Sequence, residues 1–308
     1  MLITTPRIFA ESFYNISDIP LLCLIIFTNY FFLKYLYKSR LKNLVLSSLF
    51  CAFCIITKIS AGFIALTFIF TLLFNFLKND ISFKQFIKKF LIFFLIIVIF
   101  YIMFFPYMWS DPIFHFIELI EVMINFGWHG NINYFGELIK GYNAPWNYQL
   151  VMFFFTTPIS YLLIFTILLI VKIFLLIKNK SKIDKYFIYI FLSFIMIFIA
   201  SAILQNTKYN GWRHIYFVYP FFIVIIGYLM GEILKINYFK KFINFFLIFL
   251  FILILQNSYW IIKNHPNQYA FFNSTMNDYH EKFDIDWWGI SNKEIINFLD
   301  NQDSRENI

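Results

Sequence analysis

Charged residues and cysteines are both scarce in this chain, and each shortage excludes something. Only 14% of its 308 residues are Asp, Glu, Lys or Arg, against 61% hydrophobic, and the mean hydropathy is +0.71. A soluble fold of this length needs far more polar surface, so composition assigns an integral membrane protein. The three cysteines, Cys23, Cys51 and Cys54, all lie inside apolar runs, which excludes a disulfide framework. Cys51 and Cys54 have the spacing of a metal or redox pair, but no further Cys or His stands nearby, so packing is the better reading. Also absent are G-x-G-x-x-G, Walker A, H-E-x-x-H and G-x-S-x-G, which removes support for ATP-driven transport and membrane metalloproteolysis. No motif requires a cofactor or a metal. The stretch Met1 to Arg7 has no apolar core before Pro6, so it is not read as a cleavable signal; it looks like a loop between helices.

Long apolar runs are abundant. Eight can be drawn, at 19–33, 44–57, 61–77, 90–105, 156–177, 186–205, 214–234 and 242–262, giving an all-α, polytopic transmembrane bundle of about eight spans. Residues 44–77 as one helix would run about 50 Å, well beyond a hydrocarbon core of about 30 Å. Two helices broken near Lys58-Ile59-Ser60 fit better. The net charge of +8 is distributed unlike that of a nucleic-acid binder, and no nucleic acid is expected as a partner. Sixteen of the 25 Lys and Arg fall in four short loops, around residues 34–42, 78–89, 172–185 and 235–241. The other segments hold 14 of the 17 acids. The positive-inside rule places the basic loops in the cytoplasm, provided that 44–77 is two spans.

The opposite side then receives 1–18, the Lys58 turn, the loop 106–155, the link 206–213 and the tail 263–308. The division is a transmembrane region at 1–262, carrying that outer loop, and an extracytoplasmic tail at 263–308. In the loop, Asp111-Pro112 reads as an N-cap and first helical residue. Ile113, Phe116, Ile117, Ile120 and Ile124 follow at helical spacing, as expected of a helix lying on the interface and covering the bundle. In the tail, Ser291-Asn292-Lys293-Glu294 has the pattern of a capping box opening a short helix. Asp284 and Asp286 are expected to be solvated, and residues 301–308 to be disordered.

The residues that invite chemistry stand at the outer ends of the spans. Asp18, directly before the first span, could orient an acceptor or act as a base, though an N-cap alone would explain it. Lys58 is a lone cation in an apolar stretch and could simply snorkel to headgroups. Lys208, Tyr209, Arg213 and His214 converge within seven residues, the last two in the run Gly211-Trp212-Arg213-His214 between long apolar segments. Ionisable groups at such depth usually serve a site, and Lys with Arg can neutralise a lipid-borne phosphate. The expected partners are a phosphate-bearing membrane lipid and an acceptor whose identity the sequence leaves open.

Three motifs, in order, resemble a known group. Pro6-Arg7-Ile8-Phe9-Ala10 with Asn15 and Asp18-Ile19-Pro20 comes first, and Asn210 to Pro220 second. His265-Pro266-Asn267-Gln268-Tyr269, Phe272-Asn273 and Asp286-Trp287-Trp288-Gly289-Ile290-Ser291 form the third. Together they are similar to multi-spanning GT-C glycosyltransferases of the protein O-mannosyltransferase and aminoarabinose-transferase type. The resemblance implies transfer of a sugar from a polyprenyl-phosphate donor to an acceptor outside the membrane, with a bacterial inner membrane as the natural setting. It gives Asp18 an acceptor-side catalytic role, and Lys58 and Arg213, beside Tyr209 and His214, contacts to the donor. The family's first outer loop carries an acidic pair that this chain does not contain. The expectation is therefore a donor-binding and tail portion without the full catalytic centre, acting with a partner fragment if it is active. A glycan flippase and a noncatalytic lipid-binding subunit are the alternatives.

Overall fold

The computed structural model describes residues 1–178, 183–203, 207–236 and 240–302. Lys180 and Lys182 of the third basic loop, and 303–308 of the end expected to be disordered, lie outside the described residues.

The protein is mostly helical, and among the described residues seven helices are long and apolar enough to cross a membrane, as in a multi-pass integral membrane protein. A short helix α1 (Pro6–Glu11) precedes α2 (Asp18–Lys38), α3 (Leu41–Thr57), α4 (Phe63–Leu77) and α5 (Phe83–Phe104). An insertion follows, comprising α6 (Pro112–Ile124), a hairpin of β1 (Asn131–Tyr134) and β2 (Glu137–Lys140), and α7 (Tyr148–Thr156). The bundle resumes with α8 (Ile159–Ile177), α9 (Lys185–Ile203), α10 (Tyr219–Leu234) and α11 (Ile243–Lys263). The tail carries α12 (Tyr279–Lys282) and α13 (Asn292–Gln302).

The break near Lys58 is present. Thr57 ends α3, Lys58 is extended (φ −158°, ψ 115°), and a 3-10 turn at Ile59–Gly62 leads into α4. At 17 residues, α3 is shorter than the seven apolar spans of 19 to 22 residues, two of which, Ile59–Leu77 and Arg213–Leu234, join a 3-10 turn to α4 and to α10.

Lipid tails remove the hydrophobic incentive for helices to associate, so close approach through small residues decides packing. Ser47 and Cys51, with Ser48 and Ala52, place small side chains four apart on α3, and all four are buried. Ser47 Oγ donates to Thr28 O on α2 at 2.9 Å, and Cys54 Sγ lies 3.6 Å from Thr28 Oγ1. The Cys51/Cys54 pair is thus a packing surface, with both thiols free.

The segments expected on one side do meet at one end of the bundle. Thr207 Oγ1 donates to Phe126 O (2.9 Å), Lys208 N to Gly141 O (3.0 Å), and Asn273 Nδ2 to Phe154 O (2.7 Å). Arg7 of α1 lies over the rings of Tyr269 and Phe272 in the tail, at 4.7 and 4.9 Å. At the opposite end Lys172 of α8 pairs with Glu232 of α10 at 3.8 Å.

Asp111 caps α6 as expected, accepting from Phe114 N at 3.0 Å. The hairpin was not anticipated. Its Phe135-Gly136 turn has positive φ at both positions (55° and 89°), and Asn133 Oδ1 braces it by accepting from Gly136 N at 3.0 Å. The tail helix also forms, but the box at its start does not. Ser291 Oγ donates to Asp286 (2.6 Å), and Glu294 accepts from Asn267 (3.4 Å). Asp286 and Asp284 are likewise not simply solvated, because Asp286 accepts from the N–H groups of Ile290 and Ser291 and Asp284 from that of Asn133.

Candidate functional site

The site is built on three chain breaks at the same end of the bundle. The first is the start of α2. Ser17 holds the N-cap position, yet Asn15 does the capping, its Oδ1 accepting from Asp18 N (2.9 Å) and Ser17 N (3.2 Å). That frees the Asp18 carboxylate, which turns inward and is buried. The second break places Lys58, whose Nζ lies 2.6 Å from Asp18 Oδ1 and 3.2 Å from His214 Nδ1. Lys58 therefore does not merely snorkel.

The third break is Gly211-Trp212-Arg213-His214. Gly211 adopts φ +65°, and its N–H donates to Tyr148 Oη at 3.0 Å. A Cβ there would stand 3.2 Å from Arg7 Nη1, so backbone conformation and close approach both call for glycine. Trp212 is fully buried, and its indole N–H donates to Thr156 Oγ1 at 2.7 Å. With Trp212 anchored, the 3-10 turn Arg213–Val218 turns the next two side chains back toward α2 and Lys58. Arg213 Nε reaches Asp18 Oδ2 at 3.7 Å, an ion pair too long for a hydrogen bond. Its guanidinium lies over Tyr209 (5.2 Å) and Trp288 (5.3 Å), and Tyr209 meets the His214 ring edge-on at 4.6 Å.

Lys58, Tyr209, Arg213 and His214 all line one cavity of about 570 Å3. Its polar end is cationic. Leu119, Val122, Met123 and Ile124 of α6, with Phe63, Ile197 and Phe217, supply apolar walls, and Gln149 and Ser201, hydrogen-bonded to each other, form a neutral polar patch. Ile124 of the predicted stripe reaches the cavity, together with Leu119, Val122 and Met123 beside it, whereas Ile113 and Ile117 do not line it. Asp18 stands behind this wall, and its oxygens are taken by Lys58, Asn15 and Arg213. Lys208 is apart from the cluster, its amine directed at Pro145 O (3.3 Å).

Three residues of the leading segment, Arg7, Glu11 and Asn15, acquire their partners from the fold. Asn15 Nδ2 bridges Glu11 Oε2 (2.6 Å) and Asp18 Oδ2 (2.9 Å). Glu11 is fully buried and also accepts from Tyr216 Oη at 3.4 Å. Burial, aided by the Asp18 charge, holds its carboxyl above the usual range despite those bonds. Arg7 is fully buried as well, with Nε donating to Phe271 O at 3.4 Å and its terminal nitrogens without hydrogen-bond partners among the described residues. The sequence signal was the density of polar residues before a span; their mutual contacts depend on the turn at Asn15.

No protein-family model, curated protein or solved structure matches the chain. Among the described residues no group of three or more His, Cys, Asp or Glu is placed to hold a metal ion.

Proposed function

We propose that the chain is a GT-C-type membrane glycosyltransferase-like protein whose cavity receives a polyprenyl-phosphate-linked sugar on the outer face of the membrane, in bacteria the inner membrane. One observation carries this reading: Lys58, Arg213 and His214 are gathered at one end of a cavity whose other walls are largely apolar. An amphipathic cavity of this kind complements a phosphate joined to a hydrocarbon chain. In the reaction the acceptor oxygen bonds to the anomeric carbon as the bond from that carbon to the phosphate oxygen breaks. The departing phosphate keeps the electron pair, and fixed cations lower the barrier by stabilising that charge. Asp18 is the positioning residue in this scheme: it holds both cations and does not face the acceptor.

The transfer also requires a base for the acceptor's proton. No carboxylate stands among the described residues that line the cavity, which favours a second reading, a subunit that binds the lipid without catalysis. Two measurements separate the possibilities. Chain reconstituted in nanodiscs is expected to bind polyprenyl phosphate and not the uncharged polyprenol, and Arg213→Ala to weaken binding about 10- to 100-fold. Equal affinity for phosphate and alcohol would end both readings. Release of polyprenyl phosphate from a polyprenyl-phosphate sugar in the presence of acceptor would select the enzyme, and binding without turnover the subunit.

A further inference from the structure

A second recess, of about 460 Å3, lies where the hairpin meets the tail. Asn131 and Asn133 of β1 form one wall, and His280, Asp284, Asp286 and Trp287 of the tail the other. The two walls are fastened together rather than merely adjacent. Asn133 Nδ2 donates to Glu281 O (2.8 Å), Asn133 N to the Asp284 carboxylate (3.3 Å), and Gly136 N to Lys282 O (3.2 Å). Asp286 is fixed by Ser291 Oγ at 2.6 Å and by the N–H groups of Ser291 and Ile290 at 2.9 and 3.0 Å. Both carboxylates are therefore oriented before any ligand arrives. Burial also holds the Asp284 carboxyl above its ordinary range.

The recess offers oriented acceptors, the amide of Asn131 and the ring of Trp287. Carboxylates and amides are complements for neighbouring hydroxyl groups, and an indole is one for the C–H face of a sugar ring. A metal site is disfavoured, since among the described residues the acids and His280 form no group able to hold an ion. Trp287 also connects the two sites. It packs 5.1 Å from Tyr209, which lines the cationic cavity, and 5.6 Å from Trp128.

We propose that this recess binds a carbohydrate, and, on the transferase reading above, that this carbohydrate is the acceptor. The test titrates intact chain in nanodiscs with neutral hexose, N-acetylhexosamine and uronic-acid oligosaccharides, with trilysine as the cationic control, read by tryptophan fluorescence and saturation-transfer NMR. At least one saccharide class should bind saturably at concentrations up to about 10 mM, enough to detect even a millimolar complex. Trp287→Ala should weaken that binding about tenfold. Because Trp287 also packs on Tyr209 and Trp128, Asn131→Ala on the exposed hairpin should independently weaken it severalfold. Binding of trilysine alone, of nothing, or of saccharide with both variants at wild-type affinity would overturn the proposal. Polyprenyl phosphate is titrated separately, so loss of either ligand is read without reference to the other.

Discussion

Asp18 bears on two cations at once, so neutralising it has a predictable result. Asp18→Asn would leave Lys58 and Arg213 facing each other without their shared counter-ion. Breaking a buried pair of this type costs up to about 3–5 kcal/mol. A clear fall in melting temperature in detergent is expected, together with retained affinity for an anionic lipid, because both cations remain. A variant as stable as wild type would mean that the carboxylate does not hold them. Glu11 gives a pH signature of defined sign. Its folded pKa lies above the unfolded one, so its contribution to stability is complete below the unfolded value and is lost as pH rises through the folded value. Glu11→Gln, which mimics the protonated form, should therefore gain on wild type in melting temperature as pH rises from the unfolded carboxylate value of about 4 through the raised folded one. A constant difference across that range would contradict the assignment. Asp18, Lys58, Tyr209, Arg213 and His214 could be picked out in the sequence because ionisable and polar groups are conspicuous beside apolar runs. The partnership of Glu11 with Asn15 was hidden, because it depends on how the chain turns between α1 and α2.

Elements were legible wherever a local rule fixes them. The Lys58 break follows from bilayer thickness, and the start of α6 from Asp111-Pro112. The hairpin escaped because its turn is Phe135-Gly136 and its strands are four residues each, too short for an alternating pattern. Ile124 of the α6 stripe lines the cavity while Ile113 and Ile117 do not, a division that amphipathic periodicity cannot make. Gly211 is where one residue supports several elements. Gly211→Ala would add the strain of a left-handed conformation, about 1–2 kcal/mol, and press on Arg7 at 3.2 Å. The expected result is a less stable protein with weakened lipid-phosphate binding, since Arg213 is aimed from this turn. Unchanged binding would show that Trp212 alone sets the aim.

For the molecule as a whole, distribution of charge was the most informative property of the sequence. Basic loops and polar segments alternate along the chain, and among the described residues the polar segments assemble into one layer containing both the cavity and the recess. On the proposed reading, the ion pairs within that layer also bear on which intact sugar donor fits. Lys58 and Arg213 contribute two positive charges and Asp18 one negative, leaving a formal excess of one. A phosphodiester carries a single negative charge and restores neutrality, whereas a diphosphate ester carries more than the excess can balance. The cavity should accordingly discriminate by valence, preferring monophosphate-linked carriers to pyrophosphate-linked ones.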